Sequence, residues 1–511
     1  MKNSIDRDAS LLSEEGLDLD RGIVDFTKFI SLSKNLKLSG IKGACGYTAH
    51  LIFLVLLFIP FVSKNIYRAV VANNKRIISK DAVYDFLKST SANWRSFLTG
   101  SSLPLVDYFS TLDKKEHLRA LSIDDTNFKK DRSNFVELLS KCWDHCIGCY
   151  FKGFRLLNFV WTDGCSKVPL GFTLLASRNE TKRYNESTKK VDPRSNSARR
   201  REEAVKGSPD AVLNFFNSIV DKVKPYVDAV VFDSWFSFNK IIFGIAQHIP
   251  VVCMVKKNYQ LNFSCKGGGG NIESVYRNLG NKRRGAANII GSMFAYLIYR
   301  HDGVVDRLKC KIVFVRCKHN HDWIPLLCTD PTFSDQKIVN LYGLRWKIEE
   351  FHRETKQLLS LETGSQSTDY DALCAYISVV YVRHMFLSYR QRFCVRKEDL
   401  SIESLFYGYS DEVRQITFEE AWLNASADAL EALCALPPGA KTAANENAYT
   451  LKQLQKVLLN LFPQSRDNYI GNELAAIINR QKSIEKSGRT LESRLNAMLA
   501  ERQVVQTPQS A

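Results

Sequence analysis

The chain has 511 residues, 45% of them hydrophobic, and carries 71 Lys+Arg against 54 Asp+Glu for a net charge of +17. That length exceeds one compact core and calls for about two to four domains, while the apolar content excludes a disordered chain. The charge suits a polyanionic partner. Thirteen cysteines without an even framework, after an acidic and polar opening, argue against the secreted disulfide class and for a reducing cytoplasm.

Residues 1–115 read as helical. The run 51–62 is strongly apolar, but it spans about a dozen residues and contains Pro60, where a membrane span needs about twenty. It is expected to be a buried helix of an N-terminal bundle, with no membrane role. Residues 79–98 show amphipathic spacing broken by Ser89, Thr90 and Ser91. This fits a helix-turn-helix that reads DNA or an ordinary helical hairpin.

Next comes an apolar run closed by acids, Ala120-Leu121-Ser122-Ile123-Asp124-Asp125-Thr126. Cys142, His145, Cys146 and Cys149, and later Cys317, His319 and His321, are metal-ligating types, but neither group has a second pair at finger spacing. They read as small buried thiols. Residues 178–206 turn polar and basic, which suggests a surface loop that touches DNA backbone. A second acid-closed run follows, Asp228-Ala229-Val230-Val231-Phe232-Asp233-Ser234-Trp235. Its continuous apolar centre suggests a strand covered on both faces. An acid at the carboxyl end of such a strand lies where α/β sheets place ligands, although singly it is more often a turn residue.

Residues 238–333 contain short alternating runs and read as a β-rich insertion. Gly267 to Gly270 lack the Lys-Ser/Thr of a phosphate loop and fit a hairpin turn. Trp323 precedes an apolar strand and would ordinarily be core.

Tyr342, Arg345, Glu349 and Lys356 recur at offsets of three, seven and fourteen, which share one helix face, and His352 and Arg353 join them. One carboxylate thus stands among groups that grip phosphates, while Glu350 points about 100° away. Beyond residue 396 the pattern returns to helix, with no chemistry of its own.

Cutting a phosphodiester requires an activated water or hydroxyl in line with the leaving oxygen, which two divalent ions can supply. Mg²⁺ favours a few carboxylates plus water and phosphate oxygens. Three acids from separate elements meet that need, and the basic stripe would hold the strand.

The spacing Tyr342-x2-Arg345-x3-Glu349-x6-Lys356, with the two acid-closed runs and the stretch 150–174, resembles the DDE transposases of the insertion-sequence-four group. The resemblance covers about residues 116 to 395. It implies an α/β fold: a ribonuclease-H-like catalytic core at 116–395, with the β-rich insertion at 238–333. Helical regions flank it, 1–115 for DNA ends and 396–511 for dimerisation. It implies Asp125, Asp233 and Glu349 as catalytic and metal-binding residues for Mg²⁺, with Mn²⁺ as a substitute. Asp124 and Asp125 compete for the first place; the family acid directly precedes Thr, and alternation puts Asp125 on the side of Leu121 and Ile123. Arg345 and Lys356 would hold the end phosphate, supported by Tyr342, His352 and Arg353, and Trp323 would stack a flipped base. The implied partners are double-stranded DNA with terminal inverted repeats, target DNA and a second copy of the chain. Cut-and-paste transposition through a hairpin is the leading expectation. A metal nuclease without strand transfer and an inert DNA-binding derivative are the alternatives.

Overall fold

The computed structural model describes residues 19–62, 65–67, 78–112, 117–187, 189–257, 261–280, 288–317, 322–393 and 400–415. Expectations for the first eighteen residues, for His319 and His321, and for everything beyond 415 lie outside these.

Helices come first: α1 (Leu19–Phe29), α2 (Leu32–Leu38), α3 (Ala49–Val62), α4 (Lys80–Leu87) and α5 (Trp94–Leu112). The apolar run forms α3, with Leu51, Ile52, Phe53, Leu56 and Leu57 buried. Pro60 has no N–H to donate to Leu56 four residues back. The buried Arg383 guanidinium fills that gap by donating to the Leu56 and Leu57 carbonyls.

Ser79 caps α4 by accepting from the Ala82 N–H at 3.1 Å. The second helix of this hairpin, α5, is spent on packing. Thr99 and Ser102 donate to the carbonyls of Leu170 and Pro169 in the sheet, and the exposed positions are Ser96, Asp107, Thr111 and Leu112. Among the described residues the exposed positions of α5 carry no basic side chain for a DNA groove, which favours the ordinary helical hairpin of the two expectations.

The remaining elements are β1 (Ala120–Lys129), β2 (Ser140–Asp144), β3 (Cys149–Thr162), β4 (Lys167–Leu175), α6 (Asn196–Ala204), α7 (Ser208–Val223), β5 (Ala229–Phe232), α8 (Asn239–Ala246), β6 (Val251–Met254), β7 (Asn262–Cys265), β8 (Gly268–Gly270), α9 (Ile272–Arg277), β9 (Ile289–His301), β10 (Val304–Arg316), β11 (Trp323–Cys328), α10 (Asp335–Leu344), α11 (Trp346–Gln357), α12 (Tyr370–Phe393) and α13 (Ile402–Gln415). The strands form one mixed sheet in the order β2-β3-β1-β5-β6-β11-β10-β9-β7-β8, with β4 also on β3. Only β1, β5 and β6 run parallel to one another. Every residue of β5 is buried, as its unbroken apolar run demands. Within the expected insertion, α8 and β6 belong to the core, and β7 to β11 extend the sheet from β6. Asp302 and Gly303 both take positive φ in the tight β9–β10 turn.

Side chains on the two faces of the sheet meet different helices. Phe159, on the Ile123 face, stacks on Phe215 of α7 with ring centres 4.0 Å apart. Gly171 beside it leaves the room, since a Cβ there would meet that ring at 2.5 Å. On the Asp124 face, Asn158 bonds to His352 of α11 and Tyr381 of α12. One apolar cluster runs from Ile23 to Tyr409 and includes the sheet, so the helices up to Leu112 share its core. Among the described residues, α12 is the helix long and apolar enough to cross a membrane, and it is buried from Tyr370 to Tyr389.

The basic segment 178–206 divides its charge between an internal clasp and the surface. Lys189, Arg200 and Arg201 all pair with Asp371, and Arg201 also pairs with Glu137 at 2.7 Å. Asp371 is fully buried. These cations pin the segment to the start of α12, while Arg178, Lys182, Lys190, Arg194 and Arg199 remain exposed.

Candidate active site

Parallel pairing of β1 and β5 places Ile123 beside Phe232. Continued by one residue, this register brings Asp124 beside Asp233, on strands roughly 4.8 Å apart. Both lie on the face of Ser122 and Val231, towards α10 and α11. Burial raises the Asp124 carboxyl well above the usual range, and repulsion from Asp233 and then Asp125 adds to it. Burial also raises Asp233, although the Trp235 N–H donates to its Oδ1 at 2.8 Å.

Asp125 points through the opposite face, where Arg155 donates from Nε at 2.8 Å and from Nη2 at 2.6 Å to its two oxygens. A third Arg155 nitrogen reaches Asn127 at 2.7 Å. This two-point grip neutralises Asp125. Asp125, expected beside Asp233, still raises it through its charge, but its own carboxylate is held by Arg155 on the other face of β1. Alternation does put Asp125 with Leu121 and Ile123, but that side faces α7, away from the stripe.

The stripe bends only slightly. Arg345 joins α10 to α11 with helical φ and ψ of −53° and −34°, so the spacing survives the junction. Its Nη1 lies 2.7 Å from Glu349 Oε1 and 3.7 Å from Asp124 Oδ2, and its guanidinium carbon lies 5.7 Å from the Tyr342 ring centre. Burial pushes the Tyr342 hydroxyl up to about 12. Arg345 thus links the helix carboxylate to the strand carboxylates.

Other stripe members diverge. Lys356 donates to the Asn127 carbonyl at 2.5 Å and lies 3.2 Å from Glu362. Arg353 is exposed. His352 is buried against Asn158 at 2.9 Å, and burial, then Lys356 and Arg345, push it down to about 3. A neutral imidazole in that place offers no charge to DNA, so the expected DNA contact does not fit His352. Glu350 turns to Lys167 and Lys347.

Trp323 stacks on Tyr276 at 4.3 Å, with the Lys257 ammonium 4.4 Å over its ring. A ring and an ammonium at those distances cannot share one face, so both faces are covered. The sequence reading missed Arg155, whose role is visible only once β1 and β3 pair. It also passed over Trp235 as an aromatic: two residues after Asp233, it packs on His145 at 4.9 Å.

Residues 210–367 match the family of transposase DDE domains. That is less than a third of the chain, and it includes Asp233, Trp323, Tyr342, Arg345, Glu349 and Lys356 while leaving out β1. The match supports a DDE transposase. Domains of this kind typically use divalent metals and act on DNA. No curated protein matches the chain.

Among the described residues no three acidic, His or Cys side chains gather into a cluster that could hold an ion as placed. Asp124 and Asp233 nonetheless fit a cation, being two half-buried carboxyls that repel each other. Glu349 is turned to Arg345 and would complete the set on leaving it. Of the cysteines expected as buried thiols Cys142 is buried, but Cys146 and Cys149 are exposed and Cys317 is half-buried; no described cysteine is in a disulfide.

Proposed function

We propose that this chain is a cut-and-paste DNA transposase of the insertion-sequence-four group, with Asp124, Asp233 and Glu349 as its acids. The observation that carries the reading is the β1–β5 register, which pairs Ile123 with Phe232 and, continued by one residue, supports Asp124 beside Asp233 on the face where Arg345 meets Glu349. The strand order β4-β3-β1-β5-β6, antiparallel then parallel, supports a ribonuclease-H-like core.

In this reading Asp124 and Asp233 hold Mg²⁺, or Mn²⁺ in its stead, and Glu349 joins them when Arg345 swings onto a DNA phosphate. The bound ion supplies an activated attacking oxygen and neutralises the departing one. Arg345, Arg353 and Lys356 hold the backbone of the element's end, and Tyr342 buttresses Arg345. End processing passes through a hairpin, for which Lys257 must leave the Trp323 face. The chain works in the cytoplasm as a dimer on two terminal inverted repeats, then on target DNA.

The test is cleavage and strand transfer on DNA carrying the element's ends with Mg²⁺. Nicking followed by joining is expected. Cleavage without joining would move the reading to a metal nuclease, and binding without cleavage to an inert derivative.

A further inference from the structure

The β2–β3 hairpin projects past the Lys129 end of β1, the end towards which β5 runs out at Asp233. In its register Trp143 stands opposite Tyr150, and Lys141 opposite Lys152. Alternation puts all four on one face. Trp143 is 40% exposed and Tyr150 52%. Their rings meet edge to face with centres 4.7 Å apart, and the Lys141 ammonium sits 4.3 Å over the Tyr150 ring. Lys152 binds the neutral Asn134 side chain at 2.9 Å.

Among the described residues neither ammonium group forms an ion pair, although the Lys152 backbone N–H donates to Asp131 Oδ1 at 2.9 Å. Like charges directly opposite on paired strands destabilise a hairpin, and exposed aromatic rings on an edge strand invite misassociation. Lysines alone would protect that edge, so the rings beside them need another reason. In the hairpin turn, His145 packs on Trp235, which carries Lys256 4.7 Å over its indole. Aromatic rings alternating with ammonium groups therefore run from the hairpin face to the residue that follows Asp233 by two.

We propose that this ladder is a docking surface for unpaired DNA, with Trp143 and Tyr150 stacking bases while Lys141 and Lys152 neutralise the phosphates between them. Resting on the transposase reading, it would receive the strand that leaves the acids once the duplex opens. Flat rings suit bases of any sequence, and the uncompensated lysines suit a polyanion. A protein partner would leave the facing ammonium pair without anions.

The experiment uses the full chain and a single-stranded 20-mer carrying 2-aminopurine, with the matching duplex as control. The double variant Trp143→Ala/Tyr150→Ala should lose about tenfold or more in single-strand affinity and most of the 2-aminopurine quenching. Duplex affinity should hold within about twofold, because stacking needs unpaired bases. Trp143→Phe/Tyr150→Phe should restore the quenching, which separates stacking from misfolding. Lys141→Ala/Lys152→Ala should flatten the salt dependence by about 1.4 in log–log slope. Unchanged single-strand binding in the alanine variants, or a changed oligomeric mass as their sole effect, overturns the ladder. Asp233→Asn separates the two readings: cleavage should vanish while single-strand binding stays. A wild-type chain that quenches the probe but never cleaves would sink the transposase reading and leave the ladder standing.

Discussion

Two groups of carboxylates in this protein are buried beside arginines, yet their ionisation moves in opposite directions. Asp371 accepts from Arg200, Arg201, Lys189 and Ser197. Burial alone would raise it, but Arg200, Ser197 and Arg201 outweigh that and pull it down to about 2. Asp124 has one arginine at 3.7 Å and two aspartates nearby, and it moves well up. The first group is complete: its cations fasten the segment 189–201 to α12. In the second, negative charge exceeds its compensation, as a site that accepts a cation requires. Asp371 is the more deeply buried of the two and yet the one pulled down, so the count of cationic partners, not burial, divides a clasp from a reactive centre.

Neighbouring residues on β1 give the strongest way to break that comparison. Asp124→Asn, Asp233→Asn and Glu349→Gln should each lower nicking by roughly 1,000-fold or more, while end binding measured by gel shift survives. Asp125→Asn should keep nicking within about tenfold, and instead weaken the fold by about 3 kcal/mol because Arg155 loses its buried partner. A dead Asp125→Asn beside an active Asp124→Asn would reverse the assignment.

The clasp gives the next effect. Asp371→Asn should lower unfolding stability by about 3 kcal/mol in urea titration, since three cations lose a shared anion. The pH dependence follows from the lowered carboxyl. A group depressed from 3.8 to about 2 adds about 2 kcal/mol above the unfolded value, and that share is lost as pH falls through 4 towards 2. Melts of the wild type should steepen across that window more than those of Asp371→Asn. Parallel curves would mean that Asp371 does not hold the segment.

How far the sequence carried these assignments depends on whether they needed partners. The apolar run at Val230, Val231 and Phe232 sufficed to predict a strand buried on both faces, and Arg345 and Glu349 at i and i+4 sufficed to predict one helix face. The choice between Asp124 and Asp125 was not legible. Both faces of β1 are covered, so alternation separates the two acids without telling which side carries α10 and α11. Likewise Arg200 and Arg201 looked like free charge, because their partner Asp371 lies 170 residues on in the chain. His352 fell on the expected stripe, but the depth of α11 against Asn158 is a property of packing alone.

Arg345 should show a smaller effect than the acids. Arg345→Ala should weaken end binding by about 1–3 kcal/mol and reduce its salt slope by about one, with Lys356→Ala similar or milder given its tie to the Asn127 carbonyl. His352→Gln should leave the salt slope unchanged, because the neutral ring contributes no charge. A slope that fell by one in the histidine variant would return it to the DNA contacts.

The smallest effect isolates the logic of α11 itself, which carries three glutamates in six residues. Glu349 faces Arg345 and the strand acids. Glu354 lies between Lys167 at 2.6 Å and His384 at 2.8 Å, and these hold it down at about 2 against its burial. Glu350 meets Lys347 at 3.0 Å and Lys167 at 3.4 Å with its side chain still 23% exposed, so water screens both pairs. Glu350→Gln should therefore cost under about 1 kcal/mol and leave nicking unchanged, whereas Glu354→Gln should cost about 3 kcal/mol through the buried lysine it abandons. Since Lys167 touches both, the double variant should cost more than the sum of the singles: once Glu354 is gone, Glu350 is the lysine's remaining anion, and losing it too strands the buried ammonium. Strict additivity would mean that Lys167 leans on Glu354 alone, and that α11 is held by one buried pair on the side away from the strand acids.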